Sequence, residues 1–537
     1  MLCPGEAKVN LKDALAFPAV GQQKTVYLLS NGAEMYYQNH LASRLARHAD
    51  HTPDKVFAFR PGLTDVTYAA LFAGAEQTAA ALVAAGLKPG DRVAVQVEKS
   101  LEALQLYIGT VLAGGIFLPL NTAYTAAELG YFLRDATPAV VVCDPARKAE
   151  IEPLAGGATV LDLGPDGQGT LTDARPAEAG FQAVPRTASD LAAILYTSGT
   201  TGRSKGAMLS HDNLASNSEM LVEYWHFTDA DILIHALPIF HTHGLFVATN
   251  VALFAGASIV FLPRFDPEAI LDAMPAATAM MGVPTFYTRL LENPRLTREV
   301  TANMRLFVSG SAPMLVDTHE TWEQRTGLRI LERYGMTETN MNTSNPYDGE
   351  RRPGTVGFPL PGVELRIMSD GQEVPTGEIG VIEVRGANVF QGYWRLPEKT
   401  AEEFRPDGWF ITGDMARQNT EGRVTIVGRT KDLVISGGFN VYPKEVELLI
   451  DELPGVAESA VIGLAHADFG EAVTAVVVAD GEVPTEAEII AGLKAELAAY
   501  KVPKRVLFVP ELPRNAMGKV EKNRLRESYS GLYEDVK

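Results

Sequence analysis

The chain has 537 residues, too many for a single hydrophobic core, because such cores stop growing at ~250–300 residues, so at least two domains are expected. Its 47 Lys and Arg stand against 66 Asp and Glu, a net charge of −19, which excludes a general nucleic-acid scaffold, since phosphate backbones need clustered cations. Two distant cysteines, Cys3 and Cys143, exclude a disulfide framework and a cysteine-rich metal site, and no apolar run approaches the ~20 residues that span a bilayer.

Residues 1–34 lack the compact apolar core of a signal peptide and the arginines of a mitochondrial leader, so they read as an extension of unassigned role in front of a better domain start at Met35. The cytoplasm is the expected compartment, with an organelle as the alternative. From Val66 to about Val427, short β-rich runs such as RVAVQVEK, AVVVCD, DILIHALPIF, SIVFLPRF and RLFVSGSA alternate with helical stretches such as LEALQLYIGTVLAGG. That alternation predicts an α/β domain with mixed, largely buried sheets. Toward its end, GVELRIM, GEIGVIEVRG, GWFITGDMARQ and GRVTIVGR predict an antiparallel β subdomain. The character changes again near Lys431, where about a hundred residues predict a small α+β domain. The expected division is therefore 35–430, 431–525, and a solvated tail over 526–537.

LYTSGTTGRSKG, at 195–206, is the first stretch that carries chemistry. It fails as a Walker P-loop, because five positions after Gly199 comes Ser204 and Lys205 is followed by Gly206. A flexible linker would not need to follow the buried-strand pattern LAAILY. A strand feeding glycines, hydroxyls and a lysine suits a phosphate cradle, where backbone N–H groups approach the anion and the lysine neutralises it.

YTSGTTGRSKG resembles the phosphate-loop signature of the AMP-forming adenylating superfamily, which includes acyl-CoA synthetases, luciferases and peptide-synthetase adenylation domains. The family's other motifs follow in order: LPIFHTHG (237–244), GSAPM (310–314), ERYGMTET (332–339), GWFITGD (408–414), GRTKDLVISGGFNVYP (428–443) and PRNAMGK (513–519). Taken alone, YGMTE reads as a turn with a capping Thr, and Asp414 as a turn residue after Gly. The resemblance covers almost all of the chain past Met35. It implies a large and a small domain joined by a hinge, with ATP, Mg²⁺ and coenzyme A as cofactors and small molecules as the partners.

By that resemblance, Thr197, Ser198, Gly199, Thr200, Thr201, Gly202 and Lys205 wrap the β- and γ-phosphates. The stretch Glu332, Arg333, Tyr334, Gly335, Met336 and Thr337 faces the nucleotide, with Tyr334 on adenine and Thr337 on the α-phosphate. Glu338 helps hold Mg²⁺, as hard cations prefer carboxylate and phosphate oxygens. Asp414 and Arg429 take the ribose, and Ser311, Ala312 and Pro313 line the adenine and acyl pocket. Lys519 supplies charge between the carboxylate and the α-phosphate. Lys431 is the hinge, and Gly437 and Gly438 meet the pantetheine arm. From residue type alone, a lysine acetyltransferase acting on Lys519 is a further expected partner, since acetylation removes the charge.

Two features address the acid. PIFHTHGLF places His241 and His243 where the family lines or gates the acyl pocket, and MMGVPTFYTRLL (280–291) carries Arg289 into its wall. An unpaired buried charge is costly, so an arginine facing the pocket calls for a second carboxylate, which it can bind through two nitrogens. The bland alternative is that Arg289 points to solvent. The two stretches together resemble malonyl-CoA synthetases, in which Arg289, His243 and Ser311 would hold the distal carboxylate of malonate or methylmalonate. A medium-chain or aromatic acyl-CoA ligase is the runner-up, and a non-catalytic nucleotide sensor the distant alternative.

Overall fold

The computed structural model describes residues 36–197, 204–437, 439–466, 468–481, 484–515 and 518–533. Among these, the strands form four sheets. In the first, Thr159–Asp162, Val140–Cys143, Arg92–Gln96, Ile116–Pro119 and Leu191–Thr197 run parallel, and Lys205–Ser210 closes the edge antiparallel. In the second, Val56–Phe59, Ser258–Phe261, Ile232–His235, Ala279–Gly282, Leu306–Ser309 and Ile330–Met336 form the parallel centre. The runs VVVC, IFLP and SIVF are buried at every position, as parallel strands covered on both faces require.

One core joins both sheets. Val95 of the first and Ile259 of the second share it with the helices Tyr68–Ala84, Leu101–Leu112 and His211–Tyr224, so the helices form a layer that each sheet buries from its own side. The helix His211–Tyr224 starts sharply, because Ser210 and Asn213 cap each other, and Asn213 also donates to the carbonyls of Ala387 and Val389. That second bond ties the helix to the five-stranded antiparallel sheet of Val363–Ser369, Gln372–Glu373, Gly380–Gly386, Phe410–Gln418 and Val424–Arg429. The fourth sheet draws all its strands from Val434 onward and has its own core around Val461, Val473 and Ile489. The α/β class with an antiparallel β subdomain and a small α+β domain is therefore the architecture observed.

Three local expectations are corrected. DILIHALPIF is strand only over Ile232–His235; beyond it, His243–Thr249 winds as a π-helix into Asn250–Ala255. YGMTE is not an isolated turn: Ile330–Met336 is a strand that folds back onto Asn340–Ser344. The tail is not wholly solvated. Tyr533 is buried and its hydroxyl lies 2.9 Å from Thr474 Oγ1, because the helix Lys522–Ser528 sets Leu525 and Tyr533 against the face of the small-domain sheet around Ile462 and Ala472.

Candidate active site

The phosphate-loop sequence hangs from a hairpin. Leu191–Thr197 pairs antiparallel with Lys205–Ser210, and Thr197 faces Lys205 across the ladder. Ser198, Gly199, Thr200, Thr201 and Gly202 lie outside the described residues. Lys205 is buried, its Nζ 2.8 Å from Glu403 Oε1 and 4.0 Å from the centre of the Tyr393 ring. The Tyr393 hydroxyl lies 2.6 Å from Glu403 Oε2 and 3.1 Å from Glu338 Oε1, and Thr197 Oγ1 is 3.4 Å from the same Glu338 oxygen. Neither Tyr393 nor Glu403 stands out in the sequence, where QGYWRLPEKTAEE shows no charge pattern that points from Glu403 198 residues back to Lys205.

Burial raises the pKa of Glu338, opposed by Tyr393 and by the charges of Arg429 and Lys205. No group of three or more His, Cys, Asp or Glu among the described residues could cage a metal. One buried carboxylate beside a phosphate cradle nevertheless fits Mg²⁺, which keeps water and substrate phosphates as most of its ligands.

Strand pairing builds the next part. Asp414 and Arg429 are partners across Phe410–Gln418 and Val424–Arg429, and Arg429 Nε lies 2.8 Å from Asp414 Oδ1. Tyr334 donates its hydroxyl to Asp414 Oδ2 at 2.6 Å. Asp414 is buried, so these two donors satisfy a carboxylate that would otherwise be costly. Its charge in turn raises the pKa of Arg429.

Lys519 comes from the small domain into this neighbourhood. The residue is exposed, yet its ammonium feels surrounding protein. Burial and the charges of Arg429 and Arg333 lower its pKa to about 8, against the opposing pull of Asp414 and Glu338. The preceding Gly518 sits beside the large domain, where a Cβ would lie 3.8 Å from Thr285 Oγ1.

The other half of the site centres on Ser311. Its φ of 72° is left-handed, an uncommon state for a residue with a side chain, and it aims Oγ at His243 Nδ1, 3.3 Å away. Ala312 and Pro313 continue this turn toward the helix Val316–Thr326. His243 is buried and its Nε2 has no partner among the described residues; burial and the Arg333 charge hold it well below the ordinary imidazole pKa. His241 and Thr337 line one small cavity with Tyr196 and Phe240, and burial plus the charge of Lys519 lowers His241 to about 3, so it is neutral.

Arg289 lies in the helix Pro284–Leu291, four residues after Thr285 and therefore on the same face. It is exposed, with its guanidinium 5.9 Å from the Phe265 ring centre. Gly335 and Met336 end the strand as it turns into the hairpin.

Two residues of ERYGMTET part from the expected nucleotide contacts. Glu332 Oε1 lies 3.0 Å from His319 Nδ1 and accepts from Gly354 N at 3.1 Å, so this carboxylate braces the fold. Arg333 packs its guanidinium beside Gly310 and feels Tyr287, while Tyr334 reaches Asp414. Neighbouring side chains on a strand point to opposite faces, so one contiguous motif cannot send all of them to one ligand.

Gly437 is exposed at the turn between Val434–Ser436 and Phe439–Val441, with a φ of 60°, and it donates to Phe469 O rather than to any residue above. Gly438 lies outside the described residues. Lys431 sits in the short 3₁₀ turn Thr430–Asp432, where burial and Arg429 lower its pKa.

Residues 45–394 match the AMP-binding enzyme family, and residues 445–519 match the AMP-binding enzyme C-terminal domain. The chain belongs to the AMP-binding enzyme family. Among curated members, a malonate–CoA ligase of Arabidopsis thaliana is 36% identical over 480 residues, covering 82% of this chain and 79% of that one. A feruloyl-CoA synthase of Amycolatopsis sp is also 36% identical, over 493 residues, covering 90% and 98%. Among solved members, ATP-bound MatB from Rhodopseudomonas palustris is 62% identical, covers 92% of this chain and 99% of its own, and superimposes with a TM-score of 0.89. The apo form of that MatB, 61% identical and covering 92% and 100%, gives 0.80. This chain therefore superimposes more closely on the ATP-bound form than on the apo form.

Proposed function

We propose that the chain ligates malonate to coenzyme A through an acyl-AMP intermediate. A malonate carboxylate oxygen attacks the α-phosphorus of ATP and pyrophosphate leaves. The thiol sulfur of coenzyme A then attacks the acyl carbon, and AMP leaves as the thiol gives up its proton. The observation that carries this reading is that Lys519 feels the charges of Asp414, Arg429, Glu338 and Arg333, and that His241 in turn feels the charge of Lys519. An ammonium there lies between the nucleotide half and the acid half, where negative charge builds in the first step. Likeness to a malonate–CoA ligase and to MatB supports malonate as the acid.

In this reading Asp414 and Arg429 hold the ribose, Tyr334 packs on adenine and Thr337 meets the α-phosphate. Lys205, exchanging Glu403 for phosphate oxygens, works with Thr197 and the loop 198–202. Glu338 would hold Mg²⁺, whose charge screens the triphosphate when bound. Neutral His241 lines the path to the α-phosphate. Arg289, with His243 and Ser311, holds the distal carboxylate. Turning about Lys431 then replaces Lys519 with Gly437 and Gly438 beside the incoming thiol. Acetylation of Lys519 would delete the charge the first step needs; unchanged adenylation by Lys519-acetylated enzyme would remove that proposal.

The test is AMP release from ATP, dependent on coenzyme A and Mg²⁺, with malonate, methylmalonate, acetate, octanoate and a cinnamate. Malonate, alone or with methylmalonate, should dominate. Release with cinnamate alone would favour the reading that the feruloyl-CoA synthase likeness supports. Arg289→Leu should lower kcat/KM for malonate about 10–100-fold, the scale of a lost hydrogen bond to a charged group. Intact malonate use would sink Arg289 as anchor.

A further inference from the structure

Lys205 is 7% exposed, and its ammonium is already engaged, with Glu403 Oε1 2.8 Å from Nζ. Two close approaches set Glu403 there. The segment 391–394 runs along the edge of the strand Lys205–Ser210: Met208 N donates to Gly392 O at 3.0 Å and Trp394 N to Gly206 O at 2.8 Å, which brings Tyr393 opposite Ala207. Tyr393 N then donates to Thr400 Oγ1 at 2.9 Å. Gly392, with a φ of 113°, makes that contact possible, since a Cβ there would lie 2.5 Å from Thr400 Cγ2. Glu403 follows Thr400 on the same face of the helix Pro397–Glu403.

Glu403 has more donors than it needs. Lys399, one turn earlier in the helix, lies 3.2 Å from the same Oε1 and also meets Glu402 at 2.9 Å. Tyr393 gives its hydroxyl proton to Oε2 at 2.6 Å. Breaking a buried ion pair is costly when it strands a charge. Departure of Lys205 does not strand Glu403, because Lys399 and Tyr393 stay with it. Lys205 has no such reserve: among the described residues, Glu403 is the one carboxylate within ion-pair distance of it. The carboxylate is ready to lose the lysine, and the lysine leaves only for another anion.

We propose that Glu403 is a positioning residue that competes with phosphate oxygens for Lys205 and so hastens the departure of pyrophosphate, with Lys399 as the cation that keeps Glu403 paired while Lys205 is on phosphate. This rests on the reading above that Lys205 meets the β- and γ-phosphates. ATP and pyrophosphate must each displace Glu403, so its grip weakens both, as any internal group does that holds a site in the free protein. Return of Glu403 to Lys205 then favours release of pyrophosphate before the thiol step.

The test measures Kd for ATP and for pyrophosphate by calorimetry, at fixed Mg²⁺ and without acid, together with Tm. It compares wild type, Glu403→Gln, Lys399→Met, the double variant and Lys205→Met. Glu403→Gln keeps the shape and an acceptor for Tyr393 but removes the competing charge. Both Kd values should fall about 10-fold or more, the scale of a hydrogen bond between charged groups. Pyrophosphate should inhibit AMP release more strongly by a similar factor. Lys399→Met should act with the opposite sign and raise both Kd values about 2–5-fold, the scale of a partly exposed ion pair. In the double variant the Lys399→Met effect should vanish, because no charge at position 403 then needs holding; a general loss of packing would add instead. If Glu403→Gln melts too early to titrate, Glu403→Asp, which draws the carboxylate back from Lys205, should lower both Kd values as well. Kd values at or above wild type in the Glu403 variant titrated overturn the proposal, as does a Lys399→Met effect that persists in the Glu403→Gln background. Wild-type Kd values in Lys205→Met are a separate outcome, which overturns the phosphate role of Lys205 and this inference with it.

Discussion

At Lys519 a small domain lends one charge to a site otherwise built by the large one. Its pKa, lowered to about 8, leaves it protonated at pH 7 and increasingly neutral above pH 8. In the proposed reaction the lysine acts as the cation, so adenylation should decline as pH rises through that value. Pyrophosphate exchange measured across pH as kcat/KM for ATP should show this upper limb, and Lys519→Arg should move it upward. A profile still flat at pH 9.5 would contradict it. Lys519→Ala should remove about 3–4 kcal/mol of transition-state stabilisation from adenylation, the scale of one lost electrostatic donor. Thioester formation from supplied malonyl-AMP should suffer far less; equal losses in both halves would refute the role.

At the scale of elements, the site is a set of strand ends that meet. The hydroxyl of Tyr334, from Ile330–Met336, reaches Asp414 in Phe410–Gln418, and pairing with Val424–Arg429 brings Arg429 to the same carboxylate. Tyr334→Phe leaves buried Asp414 with one donor fewer. It should lower stability by about 1–3 kcal/mol in urea denaturation and raise KM for ATP. Wild-type values of both would mean that the bond couples nothing. The same element scale accounts for Lys205. The helix Pro397–Glu403 supplies Glu403, which holds the lysine beside Tyr393; in the proposed reaction a phosphate takes the place of Glu403.

For the whole molecule, the proposed reaction needs one arrangement for each half-reaction. With Lys519 in the cleft, the Gly437 turn is exposed together with Ile435 and Phe439, which are 52% and 58% accessible. An exposed apolar patch on one domain of a hinged pair suits a surface that is covered in the second arrangement. Lys431→Pro should stiffen the short turn between the domains. Pyrophosphate exchange should persist while malonyl-CoA formation falls at least about 10-fold, as expected when a domain motion gates the second step. Equal rates in both assays would show that Lys431 does not lie at the hinge.

The fold class and the family were legible in the sequence, because buried parallel strands write continuous apolar runs and loops that handle phosphate write glycines and hydroxyls at short spacing. Those signals are local, so they survive without coordinates. What only the tertiary structure decided are relations between distant residues: Lys205 with Glu403, Tyr334 with Asp414, and Tyr533 with Thr474. It also decided how the side chains of ERYGMTET divide, with Glu332 toward His319 and Arg333 into the space that Gly310 leaves open. A sequence lists the groups, but whether a buried charge finds a partner depends on what the other strands bring beside it. Among the described residues, none meets Nε or Nη2 of Arg333.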